Sequence, residues 1–234
     1  MPRLLRSLLA GAALMAAPFA GPAAIQAQAQ AQPGWRVATE VNPIGPTDRV
    51  HGPANAAISV IVWLDPECPY CKQFGPIPET VVDAAGGRVN LAVRLYPLPF
   101  HAPNAMVASL AALCVGDQAG DAGYYRFVDS WLARTGSNGA GLPVQPGATA
   151  DPVVELAAAS GARDRAALAA CTAARSTAER LGEEMRGAQR AHLGGTPAIA
   201  VRNNASGKTL MVDGAIGAED LSDAIDYMVK QSAG

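Results

Sequence analysis

Residues 57–64 read Ala-Ile-Ser-Val-Ile-Val-Trp-Leu, an apolar, β-branched run without alternation. A strand with one wet face alternates polar and apolar residues. A run that does not alternate needs cover on both sides. The run therefore predicts an inner strand of a layered α/β sheet. A second run of this kind follows at 89–98. Between the two, residues 72–86 carry apolar side chains at helical spacing. The helix is expected to begin at Cys68 and Cys71, just after the first strand, and to kink or restart near Pro76 and Pro78.

The rest of the chain continues this layered plan. One short strand is expected near 35–39. Ala-rich stretches at 104–115 and 123–134 predict two helices. Residues 135–150 form a loop rich in Gly, Pro and Ser. Further helices are expected over 152–160 and 163–193, broken at Gly161. Strands at 197–201 and 209–212 flank a turn at 203–207 and predict a hairpin. A helix over 218–230 closes the fold, with Glu219 and Asp220 in its first turn. The order is β-α-β, a helical block, then β-β-α. The expected organisation is a lead-in over 30–54, an α/β domain over 55–101 and 194–234, and a helical insertion over 102–193.

The N-terminus predicts the compartment. Arg3 and Arg6 precede an apolar run, and Ala27-Gln28-Ala29 and Ala29-Gln30-Ala31 are small-x-small sites. This is the layout of a secretory signal peptide over 1–29, cleaved at about 27–31. The rival, an uncleaved anchor, needs about 20 uninterrupted apolar residues, and Gly and Pro interrupt this run. No later stretch reads as a membrane span. The expected destination is the periplasm. The formal net charge is −2 and the basic residues are scattered, which argues against a nucleic-acid partner.

Cysteines stand at 68, 71, 114 and 171. An even number in an oxidising compartment suggests disulfides. The spacing makes Cys68 and Cys71 the local pair and leaves Cys114 with Cys171. A Cys-x-x-Cys pair at a strand end and helix start has a chemical reason. Unpaired N–H groups of the first turn stabilise a thiolate on Cys68, the attacking species in disulfide exchange. Cys71, one turn inside, would resolve the mixed disulfide. Pro69 suits a first-turn position. The other readings of the pair are metal and an inert staple. Zinc needs four ligands, and His51, His101 and His192 are isolated, so no metal is assigned. A two-residue spacing closes no useful loop. The redox-active disulfide would need no separate cofactor.

Gly195-Thr196-Pro197 stands just before a strand, after the helical block, and here the chain resembles the thioredoxin superfamily. The resemblance implies a cis peptide at Pro197 facing the cysteine pair, with Thr196 offering its backbone to a substrate chain. Pro69 and Tyr70 would complete the substrate-contacting set. "LYPLPFHAPNAMVASLAALC" is similar to a segment of the DsbA-like family, and "WLDPECPYCKQF" looks like the active sites of DsbG, DsbC and ScsC. The resemblance covers residues 50 to 230. It implies a thioredoxin fold with an inserted helical domain. It also implies exchange of disulfides with cysteine-containing unfolded or misfolded exported proteins, and a membrane redox partner of DsbB or DsbD type that resets the pair.

Departures from the family pattern bear on direction. DsbA carries His where this chain has Tyr70. Glu67 would oppose a thiolate on Cys68 and Lys72 would favour it, so a milder oxidant than DsbA is expected. The buried acid that many members keep six residues before the first cysteine is Val62 here. Asp65 and Glu67 read as solvated loop carboxylates, and His101 as a loop histidine beside the site. Trp63, Phe74 and Tyr96 read as core or groove wall, and the methionines are too dispersed for copper. The stretch before Cys68 is too short for the dimerisation domain of DsbC and DsbG, which counts against efficient isomerase action. An isomerase or reductase and a non-catalytic metal- or protein-binding module remain the alternative functions. Cys114–Cys171 reads as a structural bridge worth about 4 kcal/mol over its loop, with a second redox pair as the alternative.

Overall fold

The computed structural model describes residues 34–144, 146, 147 and 149–231. The expected signal peptide lies outside the described residues. Six strands form one sheet: β1 (Arg36–Val37), β2 (Val50–His51), β3 (Ile58–Leu64), β4 (Val89–Leu95), β5 (Ala198–Asn203) and β6 (Thr209–Asp213). Their order is β1-β6-β5-β3-β4-β2. β3 pairs parallel with β4 and antiparallel with β5, so the strand that leads to the cysteines sits inside the sheet.

All seven residues of β3 and all seven of β4 are buried. The pleat divides β3 between two cores. Ile58, Val60, Val62 and Leu64 join Val81, Val82, Leu221 and Ile225 on one face. Ile61 and Trp63 join Ala188, Ala198, Ala200 and Met211 on the other. Each of the Val, Leu and Ile side chains contributes about 1.5–3 kcal/mol by leaving water. The helices that supply this cover are α2 (Ile77–Ala84) and α7 (Ala218–Lys230) on the first face and the end of α6 (Arg175–Arg190) on the second.

The remaining helices are α1 (Pro69–Phe74), α3 (Asn104–Arg134), α4 (Pro152–Ala159) and α5 (Arg165–Ala173). Asp151 caps α4 by accepting from the Val153 N–H, and Asp164 caps α5 by accepting from the Ala167 N–H. Cys114 of α3 and Cys171 of α5 are joined in a disulfide. Among the described residues no helix is long and apolar enough to cross a membrane.

The local differences from expectation have simple causes. The two helices expected over 104–134 follow each other directly across a kink at Gly120, where the backbone departs from helical values, and together make up α3. Residues 163–193 are split by Ala174, which is extended and separates α5 from α6. β4 stops at Leu95, short of Pro97. β2, inside the expected lead-in, pairs with β4. Gly52 follows it with φ near +91°, and a Cβ there would lie 2.9 Å from the Val89 carbonyl oxygen.

Candidate active site

β3 delivers the chain into the turn Asp65-Pro66-Glu67, and Cys68 then caps α1 with Pro69 in the first turn. Asp65 organises this turn and is fully buried. Its Oδ1 accepts the Glu67 N–H at 2.7 Å. Its Oδ2 accepts the Leu98 N–H at 2.7 Å and lies 2.7 Å from His101 Nδ1. Its carbonyl accepts the Cys68 N–H at 3.1 Å, and its own N–H donates to Cys71 Sγ at 3.4 Å. Asp65 therefore touches both cysteines.

Glu67 is fully buried as well. Its Oε1 accepts from Trp131 Nε1 at 2.7 Å and from the Thr135 hydroxyl at 2.6 Å. Its Oε2 accepts the Gly141 N–H at 2.9 Å, and its carbonyl accepts the Asn138 N–H at 2.7 Å. Lys72 donates to the Thr135 carbonyl at 2.7 Å. These contacts correct the expectation that Asp65 and Glu67 are solvated loop carboxylates. Buried carboxylates need donors, and both have them from residues distant in sequence. His101, expected as a loop histidine beside the site, does lie there, buried against Asp65 in the short 3-10 turn Pro99–His101. Gly139 packs on the His101 backbone, where a Cβ would come within 3.3 Å.

Cys68 and Cys71 are both free and buried. The Cys68 thiol donates to the Thr196 carbonyl at 3.2 Å. Its pKa is lowered to about 5. The main cause is a hydrogen bond from the Cys71 thiol, which outweighs the opposing effect of burial. The Thr196 hydroxyl and the backbone N–H groups of Cys71 and Tyr70 add to it. Burial, and then the adjacent Cys68, push Cys71 well above the ordinary thiol value. Glu67 and Lys72, expected to oppose and to favour the thiolate, both make their side-chain contacts with residues 131–141.

The Thr196–Pro197 peptide is cis, and both residues are buried at the start of β5. Among the described residues the Thr196 hydroxyl has no hydrogen-bond partner, yet its closeness to the sulfurs lowers the pKa of each. Pro69 is half-buried, and Tyr70 stands exposed at 64 %. The fold thus gathers Cys68, Cys71, Pro69, Thr196 and Pro197 at one end of β3 and β5, with Tyr70 on the outside. The Cys114–Cys171 bridge lies in the helical block. Val62 is core, as are Trp63 and Phe74, while Tyr96 is partly buried beside them. Among the described residues no group of three or more His, Cys, Asp and Glu side chains could hold a metal.

The sequence profile of the thioredoxin family matches residues 45–227. The chain belongs to the thioredoxin family. Within that family the solved structures it resembles are DsbA-like. DsbA2 of Pseudomonas aeruginosa is 26% identical with a TM-score of 0.67, covering 81% of this chain and 98% of that one. A thioredoxin-like oxidoreductase from Silicibacter pomeroyi DSS-3 is 25% identical with a TM-score of 0.62, covering 80% and 94%. The catalytic domain of Proteus mirabilis ScsC, at 16% identity and a TM-score of 0.59 over 80% and 91%, shares the fold. Among curated proteins, the Na(+)/H(+) antiporter NhaA 1 of Salinispora arenicola is 35% identical over 96 residues. That match spans 40% of this chain and only 14% of the antiporter. The expected fold class stands: an α/β thioredoxin fold with an inserted helical block. The fold and the cysteine pair are those of a protein thiol:disulfide oxidoreductase.

Proposed function

We propose that this thioredoxin-family chain is an exported oxidoreductase that introduces disulfides into cysteine-containing, partly unfolded proteins of the periplasm. One observation carries the reading: the two thiols of one pair are driven in opposite directions, Cys68 down and Cys71 up. A stabilised Cys68 thiolate favours the reduced pair, and a pair that prefers to be reduced oxidises others. The value of about 5 lies between about 3.5 for the strong oxidant DsbA and about 7 for thioredoxin. This supports the milder oxidant expected from Tyr70.

In the oxidised enzyme a substrate thiolate attacks Cys68. The Cys68–Cys71 bond breaks, and Cys71 leaves and takes up a proton. A second substrate thiolate then attacks the substrate sulfur of the mixed disulfide. Cys68 departs as its stabilised thiolate, and a low-pKa leaving group leaves fast. The substrate has lost two electrons and the pair has gained them. A membrane redox partner of DsbB type withdraws them again. Thr196 and Pro197 guide the substrate backbone, with Pro69 and Tyr70 beside it, and Cys114–Cys171 is structural. The chain works after removal of its signal peptide.

The test is oxidative refolding of a reduced, cysteine-containing protein by the wild type, Cys68→Ala and Cys71→Ala. Loss of turnover in Cys68→Ala, with a trapped mixed disulfide in Cys71→Ala, supports the reading. Wild-type refolding rates in Cys68→Ala would overturn it.

A further inference from the structure

Glu67 has more contacts than a turn residue needs. Its carboxylate is fully buried and, among the described residues, has three donors and no cation. All three donors come from the end of α3 and the loop after it, 64 to 74 residues away. Its N–H is held by Asp65 Oδ1 and its carbonyl by the Asn138 N–H. Every polar group of Glu67 is thus engaged, and the residue that follows is the nucleophile. Lys72, on the far side of the motif, holds the same loop through the Thr135 carbonyl. Thr135 is therefore gripped from both ends of the segment that carries the cysteines.

We infer that Glu67 is a positioning residue for disulfide exchange: its buried contacts with Trp131, Thr135 and Gly141 clamp the start of the cysteine turn to the helical insertion and so hold Cys68 Sγ on its donors. The inference rests on the assignment of Cys68 as the nucleophile. The thiolate of Cys68 depends on several short-range donors: the Cys71 thiol and the N–H groups of Cys71 and Tyr70. Hydrogen bonds of this kind fade within a few tenths of an ångström or tens of degrees. Burial acts against the thiolate throughout. If the 67–68 peptide is released, the donors weaken while the cost of burial remains, and the thiolate is lost. The other charged and titratable groups near the turn are Asp65, His101 and Lys72. Asp65 is committed to His101 and two backbone N–H groups, and Lys72 to Thr135.

The sign of one shift separates positioning from simple charge. If Glu67 acted on the sulfur through its charge, Glu67→Gln would lower the Cys68 pKa. Under the positioning account the substitution raises it, because the amide presents a donor where the Gly141 N–H needs an acceptor. The experiment measures alkylation of Cys68 against pH in the reduced full chain, for the wild type, Glu67→Gln and Thr135→Val. Thr135→Val removes one donor from the same clamp and leaves the Glu67 charge in place, so it serves also where Glu67→Gln does not fold. The expected result is a rise of about one pH unit in Glu67→Gln, equal to about a tenfold loss of thiolate at pH values below both midpoints, and a smaller rise in Thr135→Val. An unchanged or lowered midpoint in the folded variants overturns the inference. A wild-type Cys68 with an ordinary thiol midpoint is a different failure, that of the functional reading itself.

Discussion

The Cys68 thiol donates to the Thr196 carbonyl at 3.2 Å, although the two residues are 128 positions apart. This contact joins the two halves of the α/β domain at the reacting sulfur. The Thr196 hydroxyl, which has no hydrogen-bond partner among the described residues, also favours the thiolate. Thr196→Val keeps the shape and the backbone and removes only the hydroxyl. It should raise the Cys68 pKa by less than the loss of the Cys71 thiol does, because the Cys71 hydrogen bond is the larger cause. Alkylation of Thr196→Val and Cys71→Ala side by side checks the order.

Asp65 gives a second prediction. Asp65→Ala leaves the Glu67 and Leu98 N–H groups and His101 without their buried acceptor. Removing one member of such a buried set costs about 3–5 kcal/mol. His101→Ala leaves Asp65 with two backbone donors and should cost less, about 1–3 kcal/mol. Urea unfolding of the two variants should rank them in this order.

The bridge between Cys114 and Cys171 closes a loop with a sequence separation of 57. Replacing both cysteines by Ala should destabilise the chain by about 4 kcal/mol on the chain-entropy argument. If the bridge is structural, the rate of disulfide exchange at Cys68 stays at the wild-type value. Urea midpoints and refolding rates measured on the same variant check both halves.

Glu184 makes stability depend on pH. Burial pushes its carboxyl from 4.5 up to about 7, while it accepts the Leu95 N–H. A carboxyl raised in this way is tolerated while protonated. Its favourable effect is complete below pH 4.5 and is lost as the pH rises through about 7. Glu184→Gln keeps an acceptor for Leu95 and removes the ionisation. It should stabilise the protein at pH 8 by about 3 kcal/mol and leave stability at pH 4 almost unchanged. Thermal unfolding at the two pH values checks the sign.

Features carried by neighbouring residues were legible in the sequence. The unbroken run in β3 marked a strand buried on both faces, and the Cys-x-x-Cys after it marked the helix start. Thr196-Pro197 was legible as a motif because it stands immediately before a strand. Features decided by distant residues were not. The burial of Glu67 depends on Trp131, Thr135 and Gly141, and that of Asp65 on Leu98 and His101. Nothing beside Asp65 or Glu67 in the chain distinguishes them from solvated turn carboxylates. Ala174 ends α5 without a glycine or proline to announce it, and the two residues of β2 are too few to leave a pattern.

The most direct test of the account is the pH dependence of alkylation in the reduced wild-type chain, with the labelled cysteine identified by mass spectrometry. The account predicts a single Cys68 midpoint near pH 5, as its pKa of about 5 requires, with Cys71 unlabelled until well above 9. A Cys68 midpoint in the ordinary thiol range, about 8 to 9, or labelling of Cys71 ahead of Cys68, would contradict it.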